Sequence, residues 1–373
     1  MKKALTIIRI FVGVLFIFSG LVKANDPLGL SYKMQEFFEI WGWHFLNDYT
    51  LALSIAMNAF EIIAGVAVLV GWQMRLFSWL LSLLIVFFTF LTGYALFSGK
   101  VRECGCFGDC IPLTSDQSFM KDLLLLVLIG IIFYYRNTIK PATGKVGSIV
   151  ILFFTTVLSL ALQFYVLEYL PLVDCLPYKK GNNIPGKMKA PPGAIPDSTV
   201  ITFVYTKQGK EIEFTADAFP DDFDEETYSF VKRYDKVVRK GNAEVKIKDF
   251  ILKTVAGNDT TQALLAEDRY QLYLFLKNDY NQSQWMEYLK LVMHTAGQKQ
   301  IPGFIVTSIP FETLTSNPPD VFRLFTPLAC DAVAIKTAAR ANPTLFLIKN
   351  GTVIDKWSYA DLERAVGAVQ KLP

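Results

Sequence analysis

The chain has 373 residues and a formal net charge of +3, and 52% of its residues are hydrophobic, including 30 Phe. Nearly all the long apolar runs precede Leu172, so the composition excludes a wholly water-soluble protein and indicates a membrane region followed by a large polar part. The small net charge points to no charged class of partner, and no nucleic-acid partner is predicted.

Five apolar runs reach or approach the roughly 20 residues that a helix needs to cross the hydrocarbon core of a bilayer. They cover residues 4–22, 51–70, 76–97, 120–135 and 146–167, and they predict five spanning helices surrounded by lipid. The first run has the basic start and apolar middle of a signal peptide, but no clear small-residue cleavage site follows it. We therefore expect the first helix to be uncleaved.

Basic residues fall at the start of the chain and in alternate loops, which by the positive-inside rule places the N-terminus in the cytosol. These residues are Lys2, Lys3, Arg75, Arg136, Lys140 and Lys145. Five crossings then place everything after Leu172 on the outer side. The predicted location is the cell inner membrane, with multiple spans and a periplasmic C-terminal domain. On this topology all five cysteines lie outside: Cys104, Cys106, Cys110, Cys175 and Cys330.

Three of these cysteines share the run Cys-Gly-Cys-Phe-Gly-Asp-Cys at residues 104–110. Thiols that face an oxidising compartment either lock structure or exchange disulfides. One residue separates Cys104 from Cys106, so a bridge between them would be strained and easily reduced, with Cys110 in reach as a resolving thiol. Cys175 follows the fifth helix and is a candidate relay from the bundle to the outer domain.

Other interpretations of the cysteines stay open. A permanent structural disulfide is common outside the cell. A zinc site would need a fourth ligand such as Cys175, Asp109 or Glu103, and no metal site is predicted. Cys330 stands alone, which is typical of a small buried apolar side chain.

Ionisable residues inside a span are expensive and usually face a bundle interior. Glu61 lies near the middle of the second apolar run, so it needs a partner or a proton, as an interhelical staple or as a proton relay. Arg9 and Lys23 are expected to snorkel towards the two membrane surfaces as anchors. Residues 26–48 predict an exposed aromatic loop along the outer interface, or alternatively a cap over the cysteines.

The polar part begins with residues 178–198, whose Pro and Gly content is typical of a linker. Alternating runs at 200–205 and 211–214 predict a β-hairpin, and the acidic residues 221–226 a solvated loop or helix start. The expected domains are 1–140 for four membrane helices, 141–172 for the fifth, 173–266 for a linker with a small β-containing region, and 267–373 for an α/β domain.

From residue 270 the pattern alternates between strands at 272–276 and 304–308 and helices at 283–296, 332–339 and 359–370. Pro343 opens a further strand that Asn350-Gly351 closes as a hairpin turn. These features resemble the thioredoxin fold, in which a proline with a cis peptide bond stands beside a Cys-x-x-Cys motif. Residues 277–283, Lys-Asn-Asp-Tyr-Asn-Gln-Ser, contain no cysteine, so this domain is expected to be redox-silent by itself and Pro343 to serve folding.

The membrane part has a resemblance of its own, which rests on residues in the first two apolar runs and on the cysteine loop. The first set is Arg9, Gly13, Phe16, Ser19, Gly20, Lys23, Glu61, Gly65, Gly71 and Arg75. These residues resemble the DoxX-like superfamily, and the Cys-Gly-Cys-Phe-Gly loop is similar to its MauE branch. The resemblance implies a four-helix membrane bundle that works with a thioredoxin-like partner in maturing a disulfide-rich secreted dehydrogenase subunit. Here that partner would be fused through the fifth helix.

The leading hypothesis is a membrane-embedded thiol–disulfide relay or maturation factor, with Cys104, Cys106 and Cys110 carrying exchange towards an extracytoplasmic client or redox partner. A quinone would follow the logic of other membrane disulfide enzymes as electron acceptor, although no residue points to a quinone site. The alternative is a non-catalytic assembly scaffold that holds a client by edge-strand pairing. A small-solute transporter would need inverted repeats or broken helices, which the sequence does not clearly display.

Overall fold

A computed structural model of the protein describes residues 2–98, 105, 107–195, 198–207, 209–224, 226–239, 241, 243, 245–277, 285–316 and 319–373. Five helices among them are long and apolar enough to cross a membrane. They are α1 (Lys2–Ala24), α3 (Thr50–Val70), α4 (Met74–Ser98), α5 (Ser115–Tyr134) and α6 (Lys145–Tyr169). Each contains or overlaps one of the five apolar runs, so the prediction of a multi-pass membrane region is confirmed.

Helices α1 and α3 lie antiparallel and very close because glycines line their contact. A Cβ atom added to Gly65 would lie 2.7 Å from the carbonyl oxygen of Gly13, and one added to Gly13 would lie 2.9 Å from that of Gly65. Two turns along, a Cβ on Gly20 would lie 2.6 Å from the side chain of Ile62. Small residues that let two backbones approach are a common basis of helix packing in membranes, because the hydrophobic effect does not drive helices together in lipid.

The remaining spans complete a bundle with an apolar interior. Helices α4 and α5 pack on each other, and buried side chains of both join those of α1 and α3 in one cluster that includes Leu81, Ile85, Ile129 and Ile132. Helix α6 lies against α3, where Asn58 Nδ2 donates to Gln163 Oε1 at 3.1 Å. An amide pair of this kind satisfies polar groups that lipid could not.

Residues 26–48 are more regular than the predicted loop. They form α2 (Pro27–Ile40) and a 3₁₀ turn (His44–Tyr49). The Asp26 side chain caps α2 by accepting from the backbone N–H of Gly29 at 3.1 Å, and Pro27 occupies the first turn. Ser54 Oγ donates to the carbonyl of Pro27 at 2.7 Å, which fixes α2 to the start of α3.

A small antiparallel sheet follows the short helix α7 (Ile184–Lys187). Its strands β1 (Ser198–Lys207), β2 (Lys210–Thr215) and β3 (Tyr228–Arg239) lie in the order β2-β1-β3. The predicted hairpin is β1–β2 and is confirmed, with Tyr205 and Phe214 stacked at 5.4 Å between ring centroids. Strand β3 was not predicted because its many charged residues hide the alternation. The acidic segment between β2 and β3 is a loop where described.

The C-terminal domain contains a five-stranded mixed sheet in the order β6-β5-β4-β7-β8. Strands β4, β5 and β6 are parallel, and β7 and β8 are antiparallel to their neighbours. The elements in chain order are α8 (Thr261–Leu265), β4 (Tyr270–Leu276), α9 (Trp285–Gln298), β5 (Gly303–Thr307), α10 (Phe311–Ser316), β6 (Thr326–Ala329), α11 (Ala332–Ala338), β7 (Thr344–Lys349), β8 (Thr352–Ser358) and α12 (Leu362–Gln370).

Both faces of this sheet are buried, as expected of strands that read as continuous apolar runs. Helices α9 and α12 cover the face that carries Leu272 and Leu274. Helix α11 covers the other face together with Tyr178 and Ile184, which are 1% and 0% exposed. The first part of the expected linker is therefore packed structure, since its few apolar side chains complete the core of the C-terminal domain.

Candidate functional site

Cys110 and Cys175 form a disulfide at one end of the bundle. Cys110 ends the 3₁₀ turn Gly108–Cys110 between α4 and α5, and Cys175 lies six residues beyond α6. The bond joins segments 65 residues apart in sequence, with 4.8 Å between the two Cα atoms. Cys104 and Cys106 lie outside the described residues, so the predicted bridge between them stays a prediction. Cys110, expected as their resolving thiol, has Cys175 as its partner.

The described part of the cysteine loop is a tight turn that glycines make accessible. Gly105 and Gly108 have φ values of 68° and 55°, in the left-handed region that favours glycine, and the Gly108 N–H donates to the Gly105 carbonyl at 3.0 Å. A Cβ on Gly105 would lie 3.4 Å from the side chain of Lys33 in α2. Gly105 therefore lies next to α2, and the cap alternative for residues 26–48 stays a prediction.

Three segments meet around the disulfide, and we call them the rim. They are the α1–α2 junction, the Gly108–Cys110 turn, and residues 171–176 after α6. Asn25 ties the first to the third, because its side chain donates to the carbonyl of Val173 at 2.8 Å and accepts from the Val173 N–H at 3.0 Å. A small crevice beside the disulfide is lined by residues of all three segments.

Arg340 of the C-terminal domain inserts into the rim and is 5% exposed. Its Nε donates to both carboxylate oxygens of Asp26, at 3.0 and 2.8 Å, and its Nη2 donates to Asp109 at 2.9 Å. Its Nη1 donates to the carbonyl of Lys336 at 2.6 Å. Burial alone would lower the pKa of this guanidinium, but the two carboxylates outweigh burial and raise it. The cation is thus held at the rim by geometry and by charge.

A second cation of the same domain binds beside the other cysteine. The ammonium of Lys356, in β8, lies 2.5 Å from the carboxylate of Asp174, and the Lys356 side chain is 9% exposed. Burial lowers the pKa of Lys356, and the charge of Asp174 offsets part of that effect. The acids that precede the two bonded cysteines, Asp109 and Asp174, each bind a buried cation of the C-terminal domain.

The end of the sheet that faces the bundle carries Pro343. The Asn342–Pro343 peptide bond is cis, as predicted, and Asn342 Oδ1 accepts from the Lys277 N–H at 2.9 Å, which joins the end of β4 to the start of β7. The Lys277 ammonium reaches the Tyr32 hydroxyl of α2 at 3.2 Å. Lys277 is the first residue of the cysteine-free segment that follows β4. Residues 278–284 lie outside the described part of the chain.

Glu61 is buried in the bundle and paired. It accepts from the ammonium of Lys23 and, at 3.0 Å, from the hydroxyl of Ser19, so α1 and α3 share one polar cluster. Lys23 is 4% exposed, so the prediction that it snorkels to the outer surface is wrong. The reason is the carboxylate one helix away, which attracts the ammonium inwards. This contact supports the staple role of Glu61 and leaves the proton-relay role a prediction.

A second buried carboxylate escaped sequence reasoning. Asp122, in the second turn of α5, is 0% exposed, binds the ammonium of Lys121 and accepts from the Thr92 hydroxyl of α4 at 3.0 Å. The same ammonium lies 5.5 Å from the ring of Phe107 in the cysteine loop. The sequence offered one sign of this site, the acidic Asp122 inside an apolar run. Next to Lys121, however, it looked like part of a charged loop.

Cys330 is a free and buried thiol, 7% exposed. Burial raises its pKa to about 12, although backbone hydrogen bonds from the Ile251 and Asp331 N–H groups partly oppose that effect. A thiol with so little thiolate at neutral pH is a poor nucleophile. This environment matches the structural role expected of Cys330.

The arrangement brings together Cys110 and Cys175, places Glu61 deeper in the bundle, and puts Pro343 on the facing end of the C-terminal domain. Sequence reasoning missed Arg340, Lys356 and two of the carboxylates that bind them, Asp26 and Asp174, and it named Asp109 only as a possible zinc ligand. One signal was present: each bonded cysteine follows an aspartate, in the dipeptides Asp109-Cys110 and Asp174-Cys175. Chemically, a half-buried disulfide flanked by two ion pairs can take part in thiol exchange or hold two segments together.

Two regions of the chain match known families. Residues 1–135 match the family described as Methylamine utilisation protein MauE, and residues 199–240 match a family described as Domain of unknown function (DUF8463). Protein TlpB of Flavobacterium psychrophilum is 26% identical over 135 residues, which are 34% of this chain and 35% of that protein. The match thus spans about a third of the length of this relative. No solved structure matches the chain.

The matched 135 residues include α1 to α5, the cysteine loop through Cys110 and the buried Lys23–Glu61 pair. They end before α6, the helix that leads to Cys175. The rim disulfide therefore joins the matched region to a segment outside it. The first 135 residues of this chain form a MauE-like membrane region.

Proposed function

We propose that the protein is an integral membrane thiol–disulfide relay or maturation factor for extracytoplasmic proteins. The observation that carries the proposal is the position of the Cys110–Cys175 disulfide, which joins the loop of Cys104 and Cys106 to the segment after α6, at the junction with the C-terminal domain. Four cysteines supply two dithiol–disulfide pairs in this proposal, Cys104 with Cys106 and Cys110 with Cys175 at the rim. Two such pairs in series are the minimum that a relay needs.

The exchange we propose balances in two steps. A client dithiol attacks the Cys104–Cys106 disulfide, so the client gains a disulfide and the loop gains two thiols, with two electrons transferred through a mixed disulfide. The loop dithiol then reduces Cys110–Cys175 in the same way. A two-electron acceptor must reoxidise the rim pair, and a membrane quinone is the chemical class we propose because it accepts two electrons and two protons.

Glu61 enters this proposal as a candidate for handling those protons. Its carboxylate lies within the bundle, paired with Lys23 and hydrogen-bonded by Ser19. A buried pair of this kind also stabilises helix packing without any role in chemistry. The two roles are separable by experiment, since only a proton relay requires the carboxylate once the helices are otherwise stably packed.

We further propose that the C-terminal domain has a thioredoxin-like fold and lies in the periplasm, with the N-terminus in the cytosol. The mixed five-stranded sheet, its flanking helices and the cis-proline at the start of β7 support the first part. The basic residues of alternate loops support the second. The missing cysteine pair after β4 gives this domain a binding role rather than a catalytic one.

The scaffold alternative is favoured by the same missing cysteine pair, but its proposed contact meets an obstacle. Edge-strand pairing needs free edges, and both edges of the five-stranded sheet are partly occupied. Ala329 of β6 exchanges two backbone hydrogen bonds with Lys253, and Val353 of β8 pairs with Gly181 and Asn182. A client strand would have to displace these contacts.

Replacing Cys106 with serine in the full-length protein tests the relay. Without its resolving thiol, Cys104 is expected to be trapped as a mixed disulfide with a client or with Cys175, visible on non-reducing gels and assigned by mass spectrometry. Cys330→Ser is the matched control and should trap nothing. A purely structural bridge predicts no mixed disulfide, wild-type resistance to mild reductant, and a loss of roughly 2–5 kcal/mol of stability in Cys106→Ser.

A further inference from the structure

We propose that the Cys110–Cys175 disulfide is a redox-operated lock that holds the C-terminal domain against the bundle, so that its reduction releases the domain. The proposal goes beyond the relay: it concerns what the rim disulfide does to domain docking, whichever dithiol reduces it. It applies equally if the bond is reduced rarely, as a regulatory event, or once in every exchange cycle.

The geometry that points to a lock is the pairing of each bonded cysteine with a docking acid. Asp109 precedes Cys110 and accepts from Arg340 at 2.9 Å. Asp174 precedes Cys175 and lies 2.5 Å from the Lys356 ammonium. The two cations belong to the C-terminal domain, and their side chains are 5% and 9% exposed. The disulfide therefore fixes the separation of the two acids that receive this domain.

A fixed separation matters because the domain binds through two contacts at once. When two sites are held at the spacing of their partners, the second contact forms at a high effective concentration after the first. The intact bond supplies that spacing across 65 residues of sequence. Once the bond is broken, no covalent link holds the turn that carries Asp109 and the segment that carries Asp174 at this spacing, so the two ion pairs reinforce each other less.

Other contacts set the limits of the effect. The bifurcated hydrogen bond from Arg340 Nε to Asp26 and the Asn25–Val173 pair do not depend on the disulfide directly. We therefore expect reduction to shift the domain from mostly docked to mostly released without unfolding either part. The chemistry balances: an external dithiol loses two electrons and two protons and becomes a disulfide, while Cys110 and Cys175 each become a thiol.

Hydrogen–deuterium exchange of the full-length protein in lipid nanodiscs measures docking directly. A Cys104→Ser/Cys106→Ser background leaves Cys110–Cys175 as the rim disulfide, so dithiothreitol acts on the proposed lock and the result is independent of the relay. Reduction should raise exchange by about tenfold or more in the peptides around Asp26 and Arg340, and leave the β4–β5 core protected. Loss of the disulfide is verified by mass in the same sample.

Two further double variants test the lock if the Cys104→Ser/Cys106→Ser protein folds poorly. Cys110→Ser/Cys175→Ser should be released without reductant, and Asp109→Asn/Asp174→Asn should be released with the disulfide intact. Lys180→Gln, which removes an exposed ion pair to Asp355, is the matched control and should stay docked. Equal protection of the rim peptides in oxidised protein, reduced protein and the serine double variant would overturn the lock.

Discussion

The membrane region and the C-terminal domain place their charged groups and cysteines in opposite ways. The bundle has ion pairs between and along its helices, Lys23 with Glu61 and Lys121 with Asp122, and carries Cys110 at one end. The C-terminal domain has an apolar interior on both faces of its sheet, keeps its one cysteine inside, and presents buried cations to the bundle.

This difference assigns separate roles to the two regions. The proposed exchange places reactive cysteines at the rim, whereas the thiol of Cys330 is buried and largely protonated. The C-terminal domain contributes charge complementarity, through Arg340 and Lys356, rather than a nucleophile. On the proposed function, the exchange chemistry would involve the MauE-like region and Cys175, and the C-terminal domain would regulate or present it.

The largest expected effect on stability comes from breaking the buried Lys23–Glu61 pair of the bundle. Glu61→Leu leaves the Lys23 ammonium without its carboxylate in a dry interior, which we expect to cost about 3–5 kcal/mol of bundle stability. Denaturant unfolding of the purified protein in detergent measures it. The Lys23→Met/Glu61→Leu double variant removes both charges and should recover most of the loss.

That double variant also separates the two roles of Glu61. As a staple, Glu61 is replaceable, and the double variant should keep both stability and thiol exchange. If Glu61 is a proton relay, it cannot be replaced, and thiol exchange by the double variant should fall although its stability recovers. A double variant as unstable as Glu61→Leu alone would contradict the account of the pair.

The second effect compares a buried ion pair with an exposed one on the same domain. Arg340→Met removes charge-assisted hydrogen bonds to Asp26 and Asp109 and should weaken docking by roughly 1.5–3 kcal/mol. Lys180→Met removes an exposed pair with Asp355 and should cost less than about 1 kcal/mol. Protease sensitivity of the segment after α6 gives both values, and equal effects of the two substitutions would show that Arg340 does not anchor the domain.

A third effect concerns packing of the bundle itself. Gly65→Ala puts a methyl group 2.7 Å from the carbonyl oxygen of Gly13, so α1 and α3 must separate at a cost of about 1–3 kcal/mol. Gly130→Ala, in α5, meets no atom within 4 Å and is the matched control. Thermal unfolding in detergent should lower the midpoint for the first variant alone. Equal midpoints would refute close glycine packing as the basis of the α1–α3 contact.

The smallest effect tests the inert thiol. With a pKa of about 12, Cys330 is ionised in about one molecule in ten thousand at pH 8. We therefore expect iodoacetamide to leave Cys330 unmodified in the folded protein at pH 8 and to alkylate it fully after unfolding. Because burial disfavours the thiolate, its reactivity should rise only as the pH approaches 12. Rapid alkylation of native protein at neutral pH would place Cys330 among the reactive cysteines.

Sequence patterns predicted the elements whose signal is local. Runs of apolar residues gave the five spans, and alternation bounded by turn residues gave β1–β2 and the strand that follows Pro343. Glu61 was singled out because a charge in an apolar run needs a partner. These predictions depend on one segment at a time, which is why they succeeded.

The contacts that build the site depend on several distant segments and could not be predicted in this way. Lys23 was assigned to the membrane surface because the position of Glu61 on the neighbouring helix is not visible in its own segment. Tyr178 was assigned to a linker because the sheet that buries it begins about ninety residues later. Arg340 binds acids more than two hundred residues earlier, a pairing that only the fold creates.

Mapping the intact disulfides of the full-length protein in native membranes, under a graded series of glutathione redox buffers, tests the central claim most directly. After alkylation and digestion, mass spectrometry reports each pair separately. The account predicts Cys104 bonded to Cys106 and Cys110 bonded to Cys175, with both pairs reduced within the series and the rim pair reduced under conditions no harsher than the loop pair, because electrons pass from the loop to the rim. A single bridge that resists every buffer, with Cys104 and Cys106 permanently reduced or permanently joined, would contradict the relay.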